Sequence, residues 1–190
     1  DEYLDYVALA TVADSMELVG ENRSLVTVGL KLFNTRLRNS FLYLLGTSGK
    51  EITAQTLAFS IAPKINAGGR MGDAKCALEL FLSDSDAKCA EYAEKLKAYN
   101  VNRQIACDEI YRQAKEKIIA ESLYRDDIIA VYNEEWKTGF TGIVAARLTE
   151  DFSRPVIVFA GYNGVLKGSA RSVDGVNIYE VISGAKDLLT

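Results

Sequence analysis

Apolar positions recur along this chain at two spacings, and the change falls near residue 122. Before it the step is three to four residues, the period of an amphipathic helix. Tyr3 to Ala13 is an almost unbroken apolar run, interrupted by Asp5 and ended by Asp14. It fits a buried strand or a tightly packed helix, and its alanines favour the helix. Glu21-Asn22-Arg23 starts a second helix, with Leu25, Val28, Gly29 and Leu32 on one face. Phe41 to Leu45 reads as the buried face of a third, closed by Gly46. Thr53 is placed to cap a fourth through Phe59 and Ile61, which Pro63 stops. Ala74 to Leu82 is a short apolar helix, and Ser83 to Asp86 offers N-cap residues for the longest signal. From Ala87 to about Ser122 there is neither Pro nor Gly, and Cys89, Tyr92, Leu96, Tyr99, Ile110, Ala114 and Ile118 recur at helical steps. One helix of that length runs roughly 50 Å at 1.5 Å per residue. A break near Asn100 would split it.

Beyond residue 122 the pattern shortens. Asp127 to Tyr132 and Pro155 to Ala160 read as buried strands. Between them Thr138 to Gly142 is a turn leading into a helix, Ile143 to Phe152. Tyr162-Asn163-Gly164 has hairpin chemistry, which makes Val165 to Ser172 the paired strand. Asn177 caps a last helix, Ile178 to Leu189. The fold class is α/β: a helical N-terminal half with a long bridging helix, then a small β-α-β-β-α domain. The expected divisions are 1–84, a connecting helix 85–122, and 123–190.

Composition narrows the chemistry. The 190 residues are 48% hydrophobic and 25% charged, with a net charge of −4. That is an ordinary globular balance, so any binding of nucleic acid rests on a local basic face. The three Cys, at 76, 89 and 107, show no paired spacing and read as buried, reduced thiols of a cytosolic protein. The acidic start lacks the layout of a signal peptide, and no apolar run approaches the roughly 20 residues that span a bilayer. There is no His. Catalysis by Ser-His-Asp or Cys-His is therefore outside this chain's reach, and a metal would be held by carboxylates, which favours Mg or Mn.

Four places could carry chemistry. Ala62 to Gly72 holds a Pro, an Asn, three Gly and two cations, Lys64 and Arg70. Gly68 and Gly69 permit φ > 0 and close backbone approach, so this bend could hold a phosphate, or could simply turn the chain between helices. Lys167 to Ser172 is the second. Alternation on a strand points Lys167, Ser169 and Arg171 together, either as a phosphate cradle or as the solvated face of an edge strand. Gly168 and Ala170 leave the opposite face thin, suited to close packing or close ligand approach. Asp14, with Asp5 as a second candidate, is either a metal ligand or a helix cap. Trp136 and Phe140, beside a helix start, either stack on a base or pack the turn onto the sheet.

Taken in order, these segments resemble a known family. Leu4 to Leu18 followed by Glu21-Asn22-Arg23 looks like the last motif of the DHH phosphoesterase domain in the RecJ family of single-strand-specific DNA exonucleases. Pro63 to Gly72 is similar to the family's next motif. Gly139 to Ala145 and Gly168 to Ser172 are similar to motifs of its DHH-associated domain. The resemblance implies stepwise 5′-to-3′ hydrolysis of single-stranded DNA with two Mn or Mg ions, in a cytoplasmic repair and recombination enzyme whose partners include single-strand-binding protein or a helicase. It implies Asp14 as a metal-binding, catalytic residue and Arg70 as lining the strand's path, with Lys64 beside it. It implies Ser169 and Arg171, with Gly168, as the holders of the terminal phosphate. The long helix becomes the brace between two lobes. The family's Asp-His-His motif would precede Asp1 and its Gly-Gly-His motif would follow Leu189, so the chain reads as a middle piece that binds single-stranded DNA and lacks most metal ligands. The family's His-Pro before Gly139 is Lys137-Thr138 here. Outside this reading stand a non-catalytic nucleic-acid-binding module and a relative acting on nanoRNA or cyclic dinucleotides. The latter carries different residues at Asp5 to Asp14.

Overall fold

A computed structural model describes residues 2–46 and 49–186. The chain divides into two compact units, Asp1–Asn102 and Arg103–Thr190.

The first unit is helical. Its elements are α1 (Leu4–Ala13), α2 (Gly20–Thr35), α3 (Asn39–Leu45), α4 (Ala54–Thr56), a π-helical turn (Leu57–Ile61), α5 (Ala62–Arg70), α6 (Lys75–Leu82) and the first part of α7 (Asp86–Ala120). The Ala-rich run at the start is thus the helix that its alanines favour. It packs on α2 at an unusually short distance. A Cβ on Gly29 would lie 2.3 Å from the Leu4 carbonyl oxygen and 2.4 Å from the Ala8 Cβ. This contact sets which face of α2 is buried. Val26, Gly29 and Phe33 point inward, whereas Val28, expected on the inner stripe, is 42% exposed. The stripe is shifted because the residue without a side chain takes the point of closest approach, and its neighbours three before and four after flank it.

Phe41 of α3 is the centre of this core, with ring centroids at 4.7 Å from Phe33, 5.3 Å from Tyr6 and 5.4 Å from Phe81. Gly46 ends α3 in the left-handed conformation at φ 75°, as its sequence position predicts. Thr53 caps α4 through a reciprocal pair of bonds with Thr56.

Pro63 does not stop the helix that Thr53 begins. It sits in the first turn of α5, immediately after the π-helical turn. A proline lacks an N–H and its ring crowds the carbonyl four residues back; the wider turn relieves both demands and lets the chain stay helical.

The Gly-rich segment is therefore a helix and not a bend. Gly68 and Gly69 lie within α5, and the positive φ belongs to Gly72, at +88°. There Asp73 N–H bonds back to the Gly68 carbonyl at 2.8 Å and Gly72 N–H to that of Gly69 at 3.3 Å, closing a Schellman motif. Gly68 is small for packing: a Cβ there would lie 2.9 Å from the Asp73 carbonyl and 3.1 Å from Leu96 Cδ2 of α7. The Tyr99 hydroxyl donates to Asp73 Oδ2 at 3.0 Å and pins the same turn.

Helix α7 is unbroken through Asn100. Cys89, Ala93 and Leu96 enter the first core. Cys107, Ile110, Ala114 and Ile118 are the buried positions of its later turns, in the second unit.

The second unit continues with a short 3₁₀ turn (Leu123–Arg125), β1 (Ile129–Asn133), α8 (Thr138–Phe152), β2 (Val156–Tyr162), β3 (Val165–Arg171) and α9 (Ile178–Gly184). The sheet order is β1-β2-β3, parallel between β1 and β2 and antiparallel between β2 and β3. Helix α8 crosses over between the parallel strands, burying Phe140, Val144, Ala145 and Leu148 beside Ile129, Val131, Val156, Val158 and Ala160. It begins at Thr138, so the expected turn through Gly142 is its first helical turns. Lys115 and the Tyr111 hydroxyl hold Asp151, and Arg147 holds Asp108 at 2.6 Å, fastening α8 to α7.

Asn163 and Gly164 turn the hairpin with φ of 50° and 80°, the type I′ geometry their sequence calls for. Asn177 caps α9 by accepting from Tyr179 and Glu180 N–H. The last residues of the expected helix, 187–189, lie outside the described residues. All three cysteines are buried thiols, none of them in a disulfide. No described helix is long and apolar enough to cross a membrane.

Two outcomes test this packing. Gly29→Ala is expected to lower stability to urea by about 1–3 kcal/mol through overpacking. Gly184→Ala, which meets open space, stays within about 0.5 kcal/mol. The second concerns Asp151, whose carboxyl titrates below the ordinary range because Lys115 and Tyr111 hydrogen-bond to its charged form. The stability this supplies is present above the unfolded carboxyl value, about 4, and is lost as pH falls through the lower folded value. The gap in urea midpoint between the parent chain and Asp151→Asn therefore narrows as pH is lowered from about 6 to about 3.

Candidate functional site

The β2–β3 register decides what the second cationic cluster faces. Val156 pairs with Arg171, Val158 with Ser169 and Ala160 with Lys167. Directly opposed residues share a sheet face, and Val156, Val158 and Ala160 are fully buried. Ser169 and Arg171 therefore stand on the face that α8 covers, not on a wholly solvated one. On the other face Phe159 lies across Gly168, where a Cβ would come within 2.6 Å of its ring. Gly168 is thus taken up by packing the aromatic ring.

Helix α8 brings its first turns to these side chains. The Ser169 and Thr141 hydroxyls are 2.9 Å apart, and Thr141 also bonds the Thr138 carbonyl at 2.9 Å. A Cβ on Gly142 would lie 3.4 Å from Arg171 Nη2 and 3.6 Å from Ser169 Oγ. The bare backbone at Gly142 leaves room for both. Arg171 Nη1 donates to the Ala170 carbonyl at 2.8 Å, which fixes the guanidinium plane. No side chain caps α8 at Lys137. A guanidinium, a hydroxyl and the positive end of a helix converge here, the combination that suits a phosphate oxygen. Lys167 lies further along the strand, its ammonium 5.5 Å from the Tyr162 ring centroid. Thr141 and Gly142 are the members that residue patterns did not bring forward. Nothing in the sequence relates position 141 to 169 until the register and the helix are both known.

Trp136 and Phe140 are packed. Trp136 is 5% exposed and donates from its indole N–H to Gln113 Oε1 at 2.8 Å, and Phe140 is fully buried.

In the first unit, Lys64 donates to the Leu44 carbonyl at 2.7 Å. Its ammonium thus sits at the negative end of α3. Burial and the neighbouring Lys97 lower its pKa. Arg70 ends α5 and is exposed. Asp14 is the exposed C-cap of α1. Asp5 is 2% exposed and pairs with Arg38 Nε at 2.6 Å, which accounts for its burial. Among the described residues no three His, Cys, Asp or Glu come together in a way that could hold a metal ion.

Comparison with known proteins places this geometry. Residues 125–188, most of the second unit, match the DHHA1 domain. Over its whole length the chain is similar to RecJ proteins. It is 34% identical over 194 residues to the single-stranded-DNA-specific exonuclease RecJ of Bacillus subtilis (strain 168), covering all of this chain and 25% of that protein. It is 36% identical over 191 residues to that of Salmonella typhimurium, covering 95% of this chain and 33% of that protein. The crystal structure of RecJ in complex with Mn2+ from Thermus thermophilus superimposes with a TM-score of 0.87 at 34% identity, over 99% of this chain and 28% of that one. The chain thus spans a quarter to a third of the length of these curated relatives.

The Asp5–Arg38 pair separates a structural carboxylate from a metal ligand. Asp5→Asn is expected to cost about 1–3 kcal/mol, since Arg38 is partly exposed and recovers some hydration. An unchanged urea midpoint would show that Asp5 is not held for structure.

Proposed function

We propose that this chain is the strand-holding part of a single-strand-specific 5′-to-3′ DNA exonuclease, an enzyme of cytoplasmic DNA repair and recombination. In it, residues 1–84 form the end of the DHH phosphoesterase domain, 85–122 the connecting helix and 123–190 the DHH-associated domain. The observation that carries this reading is the meeting of Ser169 and Arg171 at the first turns of α8. That group offers a terminal phosphate a bidentate cation and a neutral donor against a helix N-terminus. Arg70 and Lys64 supply positive charge on α5, Arg70 toward the strand and Lys64 chiefly to the end of α3. The names of the relatives, exonucleases acting on single-stranded DNA, support the substrate class.

The parent enzyme's chemistry in this reading is phosphodiester hydrolysis assisted by Mn or Mg, with Asp14 as one ligand. Such metals, when bound in the parent, would supply an activated water and neutralise charge on the phosphate. The residues described here hold and orient the strand: Arg171 neutralises the terminal phosphate, Ser169 donates to one of its oxygens, and Gly142 keeps the backbone low enough for both. Single-strand-binding protein or a helicase is the partner this reading expects of the parent.

The test is binding of a single-stranded oligodeoxynucleotide with a 5′-phosphate or a 5′-hydroxyl. The 190-residue chain is expected to prefer the phosphorylated strand, and Arg171→Ala to lose about tenfold or more of that preference. Equal affinity for both strands would overturn the reading. Incubated with Mn2+ and single-stranded DNA, the chain alone is expected to release no mononucleotide.

A further inference from the structure

Thr141 at the start of α8 does more than an ordinary helical threonine. Bonding to the carbonyl three residues back is common for Thr and by itself signifies nothing. The second contact, to a hydroxyl 28 residues further along the chain, is different. Thr138 O, Thr141 Oγ1 and Ser169 Oγ form a chain of three oxygens at 2.9 Å spacings, with two hydroxyl protons to share. The carbonyl can only accept. Without an anion, Thr141 donates to the Thr138 carbonyl and Ser169 donates to Thr141. Both protons are then turned inward, and Ser169 shows an incoming phosphate only its lone pairs.

The geometry points to Thr141 as the positioning residue that arms Ser169 for phosphate. When an anionic oxygen arrives beside Arg171, the Ser169 proton rotates outward to it. Thr141 rotates its own proton from the carbonyl onto Ser169 Oγ. Each hydroxyl still donates once, and no proton leaves its oxygen. The Thr138 carbonyl keeps its main-chain helical partner one turn on. Ser169 then donates to the anion while accepting from Thr141, and a hydroxyl that accepts a hydrogen bond is a stronger donor. Thr141 is 1% exposed. Water therefore has poor access to take its place as the donor behind Ser169. The arrangement lets the site discriminate a charged terminal phosphate, which can turn the relay, from a 5′-hydroxyl, which has no comparable pull.

This inference rests on the proposed function and is tested beside it. The readout is the ratio of affinities for 5′-phosphorylated and 5′-hydroxyl single-stranded oligodeoxynucleotide. Thr141→Val, which keeps the shape and removes the relay, is expected to reduce the ratio about three- to tenfold. Thr141→Ser, which loses the methyl but keeps the hydroxyl, is expected to hold the ratio within about twofold of the parent. Should the Val variant unfold, Thr141→Ala against Thr141→Ser makes the same comparison at equal loss of the methyl. An unchanged or increased ratio in Thr141→Val or Thr141→Ala, or an equal loss in Thr141→Ser, overturns the relay. If Arg171→Ala and Ser169→Ala still lower the ratio in that case, the phosphate reading stands without Thr141. If the parent chain shows no preference, both fall together.

Discussion

The placement of every candidate group on β3 depends on the register of the β2–β3 hairpin. A slip of one residue would exchange the two faces of β3. Ser169 and Arg171 would then turn away from α8, and Gly168 would leave the Phe159 ring. Two features hold the register. The Asn163-Gly164 turn adopts positive φ at both positions, and few residues other than Asn and Gly accept that pair. The Phe159 ring seated on Gly168, where a Cβ would come within 2.6 Å of it, opposes the alternative, because a slip would put a residue with a side chain in that place.

The first unit is organised by a different constraint, the removal of side chains where helices meet. Gly29 lets α1 lie against α2, and Gly68 lets the Asp73 turn lie against α7. In both cases glycine costs the helix about 1 kcal/mol of propensity, and the close contact offsets it. Near Arg70, Gly68 therefore belongs to packing and Gly72 to the helix end, and a ligand would meet the end of α5 and not a flexible loop.

Much of this was legible in the residues, and the misses have definite causes. The hairpin, the Thr53 and Asn177 caps, the Gly46 stop and the long helix follow from local chemistry that tertiary contacts do not override. Strand alternation correctly put Ser169 and Arg171 on one side. It could not say whether that side was wet, because the answer lies with α8. Gly68 and Gly69 read as a bend because propensity counts against glycine in a helix, while the contact that compensates comes from Leu96. Pro63 read as a stop because a π-helical turn leaves no local signature. Thr141 looked like one more turn residue, since its partner is set by register and crossover together.

The two-residue hairpin loop has a consequence for how the second unit is assembled. Closing a loop this short costs little chain entropy, whereas pairing β1 with β2 must bring together strands separated by all of α8. The hairpin is the sheet contact with the shortest separation along the chain, and local pairings of this kind form on a timescale of roughly microseconds. Ser169 and Arg171 are therefore aligned by the fastest-forming and most local piece of the sheet. The helix that completes their surroundings packs on a face whose order is set by the hairpin's own register.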